Sequence, residues 1–67
     1  MKNRRQQKIK ELIEQNSVET QSDLAQLLNM AGFEVTQATV SRDIKDMGLI
    51  KIPSSNGGYK YAYPRML

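Results

Sequence analysis

The 67-residue chain contains no cysteine and no histidine. That excludes disulfide staples and the usual zinc sites, leaving carboxylates as the only metal ligands on offer. It also removes the common nucleophile–base pairs: a triad would have to join Ser to Lys, and no such pair stands in a recognisable context. There is no glycine-rich phosphate loop, and no tract approaches the ~20 apolar residues of a membrane span. Nor does the start show the basic, apolar and cleavage regions of a secretory leader. The expectation is a single cytoplasmic domain spanning residues 1–67, without metal, cofactor or catalysis, close to the lower size limit for folding without staples.

What the chain does have is an uneven charge. The net charge is +3, with ten Lys/Arg against seven Asp/Glu. Residues 1–10 hold Lys2, Arg4, Arg5, Lys8 and Lys10 and no acid, while the remainder holds more acids than bases. Cations at a helix start oppose the helix dipole, which favours anions there. An anionic partner would relieve that opposition, so Arg4, Arg5 and Lys8 are candidate phosphate contacts. The alternative is a solvated basic terminus.

Periodicity divides the chain into three helices and a hairpin. Ile9, Leu12 and Ile13 recur at helical spacing among charges, predicting an amphipathic helix over about residues 4–15. Asn16-Ser17 breaks it. Thr20 with Asp23 three positions on is an acidic variant of the capping box and starts a second helix. Its expected buried stripe is Leu24, Leu27, Leu28 and Ala31, and Gly32 suits a left-handed C-terminal cap. Thr36 caps a third helix that Gly48 ends, with Val40, Ile44 and Met47 pointing inward. Two helices joined by a short glycine-containing turn form a helix-turn-helix. After Gly48 the period changes: "LIKIP" and "YKYAYP" are β-rich runs separated by "SSNGG", a hairpin turn, with Pro53 and Pro64 at edge or terminal positions. Tyr59, Tyr61 and Tyr63 share one face, Lys60 and Ala62 the other, and the tyrosines are expected to pack over the helices rather than stack on bases. The fold class is α+β, a winged helix-turn-helix.

On a helical projection of the third helix, Ile44 and Met47 fall within about 40° of Val40. Ala38, Arg42 and Lys45 fall opposite, with Ser41 to one side and Thr39 and Asp46 to the other. A small, polar face with a central cation suits entry into a DNA major groove, where Arg and Gln reach base edges with paired hydrogen bonds. Gln37, Ala38, Thr39, Ser41, Arg42 and Lys45 are therefore the candidate base-reading set. The alternative is a solvated polar face. Asp43 and Asp46 read as flanking solubility charges or ion-pair partners. On the hairpin, Lys51, Asn56 and Lys60 are candidates for the phosphates or an adjacent minor groove, although Asn56-Gly57 is also explained by the turn alone. Free backbone N–H groups at the starts of the second and third helices suit phosphate; Thr20, Gln21, Ser22 and Thr36 stand there, with capping as the alternative role of the threonines.

"ETQSDLAQLL", "GFEVTQATVSRDIKDMGLIKIP" and "NGGYKYAYP" together resemble the N-terminal DNA-binding domain of the bacterial arginine repressor family, over about Lys8 to Pro64. "TQATVSRD" is the most specific stretch, and the hairpin sequence resembles the Gram-positive branch. The resemblance implies a winged helix-turn-helix whose recognition helix carries Ser41 and Arg42, with Gln37 and Thr39 from the same stretch. It implies operator duplex DNA as partner, repression of arginine biosynthesis genes and, in some bacteria, activation of arginine catabolism genes. Family members add a C-terminal domain that binds L-arginine and assembles trimers into hexamers. The chain departs from the family by lacking that domain, so a monomeric, arginine-indifferent fragment is expected. A winged helix used for protein contacts is the competing reading.

Overall fold

A computed structural model describes residues 4–55 and 57–64. The elements follow the order α1 (Arg4–Gln15), α2 (Gln21–Met30), α3 (Gln37–Met47), β1 (Ile50–Pro53) and β2 (Tyr59–Ala62). Helix α1 packs on α2 and on β2, and α2 packs on α3. The result is the expected three helices followed by an antiparallel hairpin, a winged helix-turn-helix arrangement. Among the described residues, no helix is long and apolar enough to cross a membrane.

The helix ends are set locally. The Thr20 hydroxyl accepts the Asp23 N–H at 3.0 Å, and Thr36 accepts that of Thr39 at 3.3 Å. Each occupies one of the donors that a helix start leaves without a partner. At the other end of α2, Gly32 adopts φ +97°, while Gly32 N–H bonds Asn29 O and Phe33 N–H bonds Leu28 O. This is the paired C-terminal closure that needs a left-handed residue. Helix α3 closes the same way: Gly48 N–H bonds Lys45 O and Leu49 N–H bonds Ile44 O, with Gly48 at φ 69°. A Cβ at Gly48 would meet nothing within 4 Å, so substitution costs backbone strain alone. Gly48→Ala is expected to destabilise the domain by about 1–2 kcal/mol, and Gly48→Asn by less, read from the urea midpoint by circular dichroism. Equal stability of the alanine variant would show that α3 can end without the left-handed turn.

One buried cluster joins the three helices and β2: Ile9 and Ile13 of α1, Leu24, Ala25 and Leu28 of α2, Val40 of α3, Tyr61 of β2, and Val18 from the α1–α2 link. Leu12, Leu27, Ile44 and Met47 pack around its rim, partly buried. Two expectations change and a third narrows. Ala31 is exposed beyond the last turn of α2, whereas Ala25, about 120° around the helix from it, is buried. The tyrosines do not cover the helices together, because a two-stranded ribbon is narrow: Tyr61 is buried, but Tyr59 and Tyr63 are 59% and 41% exposed. Most consequentially, of the two readings of Asp43 the ion-pair partner holds, with Arg5, and the solubility charge does not. Asp43 is buried on the inner side of α3 at 2% exposure.

The hairpin is anchored through its second strand. Ile50 pairs with Ala62, Lys51 with Tyr61, Ile52 with Lys60 and Pro53 with Tyr59. The outer edge of β2 gains a further bond, Tyr61 N–H to Val18 O at 2.9 Å. That single bond ties the wing to the link between α1 and α2 and satisfies backbone groups beside the core. The wing therefore projects from a fixed root.

Candidate nucleic-acid interface

The α2–α3 turn decides where the recognition face points. Its geometry is held by Asn29, whose amide donates to Ala25 O at 2.8 Å and to Val35 O at 3.2 Å while its oxygen accepts Val35 N–H at 3.4 Å. One side chain thus clamps the end of α2 to the residue before the α3 cap. The first turns of the two helices are also joined, Gln37 Nε2 donating to Ser22 Oγ at 3.0 Å. This bond brings Ser22, with its neighbours Thr20 and Gln21, alongside Thr36 and Gln37. Two helix starts, both with backbone N–H groups facing out of the helix, share one edge of the molecule.

Along α3 the outward set is as the projection places it. Gln37, Ala38, Arg42 and Lys45 are exposed, and Thr39 and Ser41 are half-buried at its margins. Thr39 is further constrained by a hydroxyl contact with Thr36 at 3.3 Å. Arg42 has no ion-pair partner among the described residues. Ala38, one turn before it, leaves the helix surface low there.

The basic N-terminal block divides. Arg4 is exposed. Lys8 bonds Glu11 at 3.1 Å on the surface, a pairing that screening makes weak. Lys10 lies 4.9 Å above the Tyr63 ring. Arg5 is different: it meets Asp43 side-on, Nε donating to Oδ2 and Nη2 to Oδ1, the latter at 3.1 Å. Gln6 Nε2 also reaches Asp43 Oδ1 at 3.4 Å. A carboxylate buried in a small core needs such partners, because desolvation without them is expensive. The hydrogen bond to Asp43 raises the pKa of Arg5, against a smaller opposing effect of desolvation. Arg5 nonetheless reaches the α3 face, since Arg5, Ala38, Thr39 and Arg42 line a common cleft of about 250 Å³.

On the wing, the two lysines point to opposite faces. Lys51 shares the Tyr61 face, its Nζ 5.1 Å above that ring, whereas Lys60 is half-buried on the other. The loop closes through Ser54 N–H to Gly58 O at 2.7 Å and Gly57 N–H to Ser54 O at 3.1 Å. Asn56 lies outside the described residues.

Sequence reasoning missed Gln6 and Asn29, and it left Asp43 between a solubility charge and an ion-pair partner without naming Arg5. A signal for Asp43 was present: three residues after Val40, it falls about 60° from it on the helical projection, bordering the apolar arc. A charge there requires a partner, and the nearest supply of unpaired cations is the N-terminal block. Asn29 offered no comparable signal, because its bonds depend on where the turn brings Val35. Among the described residues, no group of three or more His, Cys, Asp or Glu could hold a metal ion.

The comparisons with known proteins agree with this arrangement. The chain is 62% identical over 64 residues to the arginine repressor of Desulfitobacterium hafniense (strain DSM 10664 / DCB-2), covering 96% of the chain and 43% of that protein. To the arginine repressor of Carboxydothermus hydrogenoformans it is 60% identical over 65 residues, covering 97% of the chain and 43% of the relative. The arginine repressor of Bacillus subtilis (strain 168) is 52% identical over 63 residues, 94% of the chain and 42% of the relative. The chain thus spans less than half the length of these relatives. The profile described as "Arginine repressor, DNA binding domain" matches residues 1–66. With a helix-turn-helix and a wing and this match over nearly its whole length, the chain belongs to the arginine repressor DNA-binding domain family.

Proposed function

We propose that this chain is the sequence-specific duplex-DNA-binding unit of an arginine-responsive transcriptional regulator, which represses arginine biosynthesis genes and in some bacteria activates arginine catabolism genes. The observation that carries this reading is the outer face of α3, where Arg42 is exposed between Ala38 and Lys45, without an ion-pair partner among the described residues, and the apolar side is turned to the core. In the proposed complex α3 enters the major groove. Gln37, Thr39, Ser41 and Arg42 read base edges, and Ala38 permits the approach. Lys45 completes the recognition-helix set, while Thr20, Gln21, Ser22 and Thr36 at the two helix starts, Arg4, Arg5 and Lys8 of α1, and Lys51, Asn56 and Lys60 contact the phosphates. Binding L-arginine and assembling hexamers are proposed for the remainder of a longer protein, so the 67-residue chain binds as a monomer.

The test is a gel-shift titration with a duplex selected from a random pool and with its scrambled counterpart, at two salt concentrations, with and without L-arginine. Preference for the selected duplex is expected, with log K falling against log[salt] by about 0.9 for each phosphate contact. L-Arginine should change nothing. Equal affinity for both duplexes with little salt dependence would favour the protein-contact reading, and an arginine-dependent gain would place an effector site in this chain.

A further inference from the structure

Two arginines from distant parts of the sequence border one cleft, and a buried carboxylate holds one of them there. Arg5 comes from the first turn of α1 and Arg42 from the middle of α3, and with Ala38 and Thr39 they line the same space of about 250 Å³. Nothing about α1 requires its first turn to reach the recognition helix. What brings it there is Asp43, whose side chain is 3% exposed while that of Arg5 is 32% exposed. The side-on contact engages Nε and Nη2 of the guanidinium and leaves its Nη1 end for a second acceptor. Gln6 bonds the same carboxylate, so successive residues of α1 grip one group on α3. A planar guanidinium held by two bonds is fixed in direction as well as position, which a lysine ammonium cannot reproduce.

We propose that Asp43 is a positioning residue for DNA binding: by holding Arg5 against α3, it builds a notch beside the base-reading Arg42 in which Arg5 takes one phosphate of the duplex backbone, setting the depth and register of the recognition helix. The inference rests on the DNA-binding reading and deepens it, assigning the acid of "SRD" a part in recognition that its charge alone would contradict. A carboxylate near DNA ordinarily repels phosphate. Here the charge faces inward, and its effect at the surface is the fixed direction of a cation.

That contradiction supplies the test. Asp43→Asn removes a negative charge from the DNA-binding side. If Asp43 does no more than sit in the core, the variant should bind every duplex as tightly as the parent or more tightly, with an equal or steeper salt dependence. The positioning role requires the reverse: affinity for the selected duplex falls about tenfold or more, the loss expected for a charge-assisted hydrogen bond. The slope of log K against log[salt] flattens by about 0.9, as for one lost phosphate contact, despite the added positive charge. Arg5→Lys is the second variant, since it keeps the charge on a partly exposed residue and removes only the side-on geometry. It should lose affinity and slope in the same way with its helical circular dichroism intact, and the double variant should lose no more than either single one. If Asp43→Asn proves unfolded, Arg5→Lys decides: unchanged affinity and slope in a folded Arg5→Lys protein would overturn the proposal. Failure of the DNA-binding reading itself shows up separately, as a parent chain with no duplex preference.

Discussion

Arg42→Ala is expected to reduce affinity for a selected duplex by roughly ten- to a hundredfold, the discrimination one bidentate arginine–guanine pair provides, while affinity for scrambled DNA falls much less. The expectation follows from the position of the side chain. Arg42 is exposed on the second turn of α3, without an ion-pair partner among the described residues. The helix carrying it is clamped at its start by the Thr36 cap and by the Gln37–Ser22 bond. A long side chain on a fixed helix can present both guanidinium edges to guanine O6 and N7 with little rearrangement. Removing it should leave stability nearly unchanged, since the residue fills no part of the core. Competition gel shifts with the two duplexes measure the effect, and circular dichroism checks the fold. If the affinities for selected and scrambled DNA fell by the same factor, Arg42 would be a phosphate contact and base reading would belong to its neighbours Gln37, Thr39 and Ser41.

Leu28→Ala should produce the opposite signature, a large loss of stability with DNA recognition altered only through the unfolded fraction. Leu28 is fully buried at the centre of the cluster that joins the helices and β2. Truncating a buried leucine removes transfer free energy and leaves a cavity, about 2–5 kcal/mol together. A chain of 67 residues has a total stability of only about 3–10 kcal/mol at the usual margin per residue. The variant should therefore lose from about a fifth to all of its urea midpoint at unchanged denaturant sensitivity. Folded molecules at low temperature should still prefer the selected duplex. A loss below about 1 kcal/mol would mean that α1, α2 and α3 close the cavity by shifting together.

How much of this was legible beforehand depends on the range of each interaction. Helix starts at Thr20 and Thr36 and helix ends at Gly32 and Gly48 rest on bonds to residues a few positions away, so the order of residue types determines them. The outward placement of Arg42 and Lys45 follows from helical period for the same reason, as does the hairpin from "SSNGG" between two β-rich runs. Period also placed Val40, Ile44 and Met47 on the inner side, but it could not rank them: only Val40 is fully buried, because α3 meets α2 at one end of its apolar arc and solvent at the other. Contacts that cross between elements had no local signature. Tertiary structure alone set the Tyr61–Val18 bond that roots the wing, the hold of Asn29 on Val35, and the junction of Gln37 with Ser22. It also decided the fate of the charges. Composition marks Arg5 and Asp43 as one more surface base and one more surface acid. Folding brings them together across 38 positions of sequence, where burial of the carboxylate makes a partner obligatory and the packing of α1 against α2 and the wing decides which base can serve.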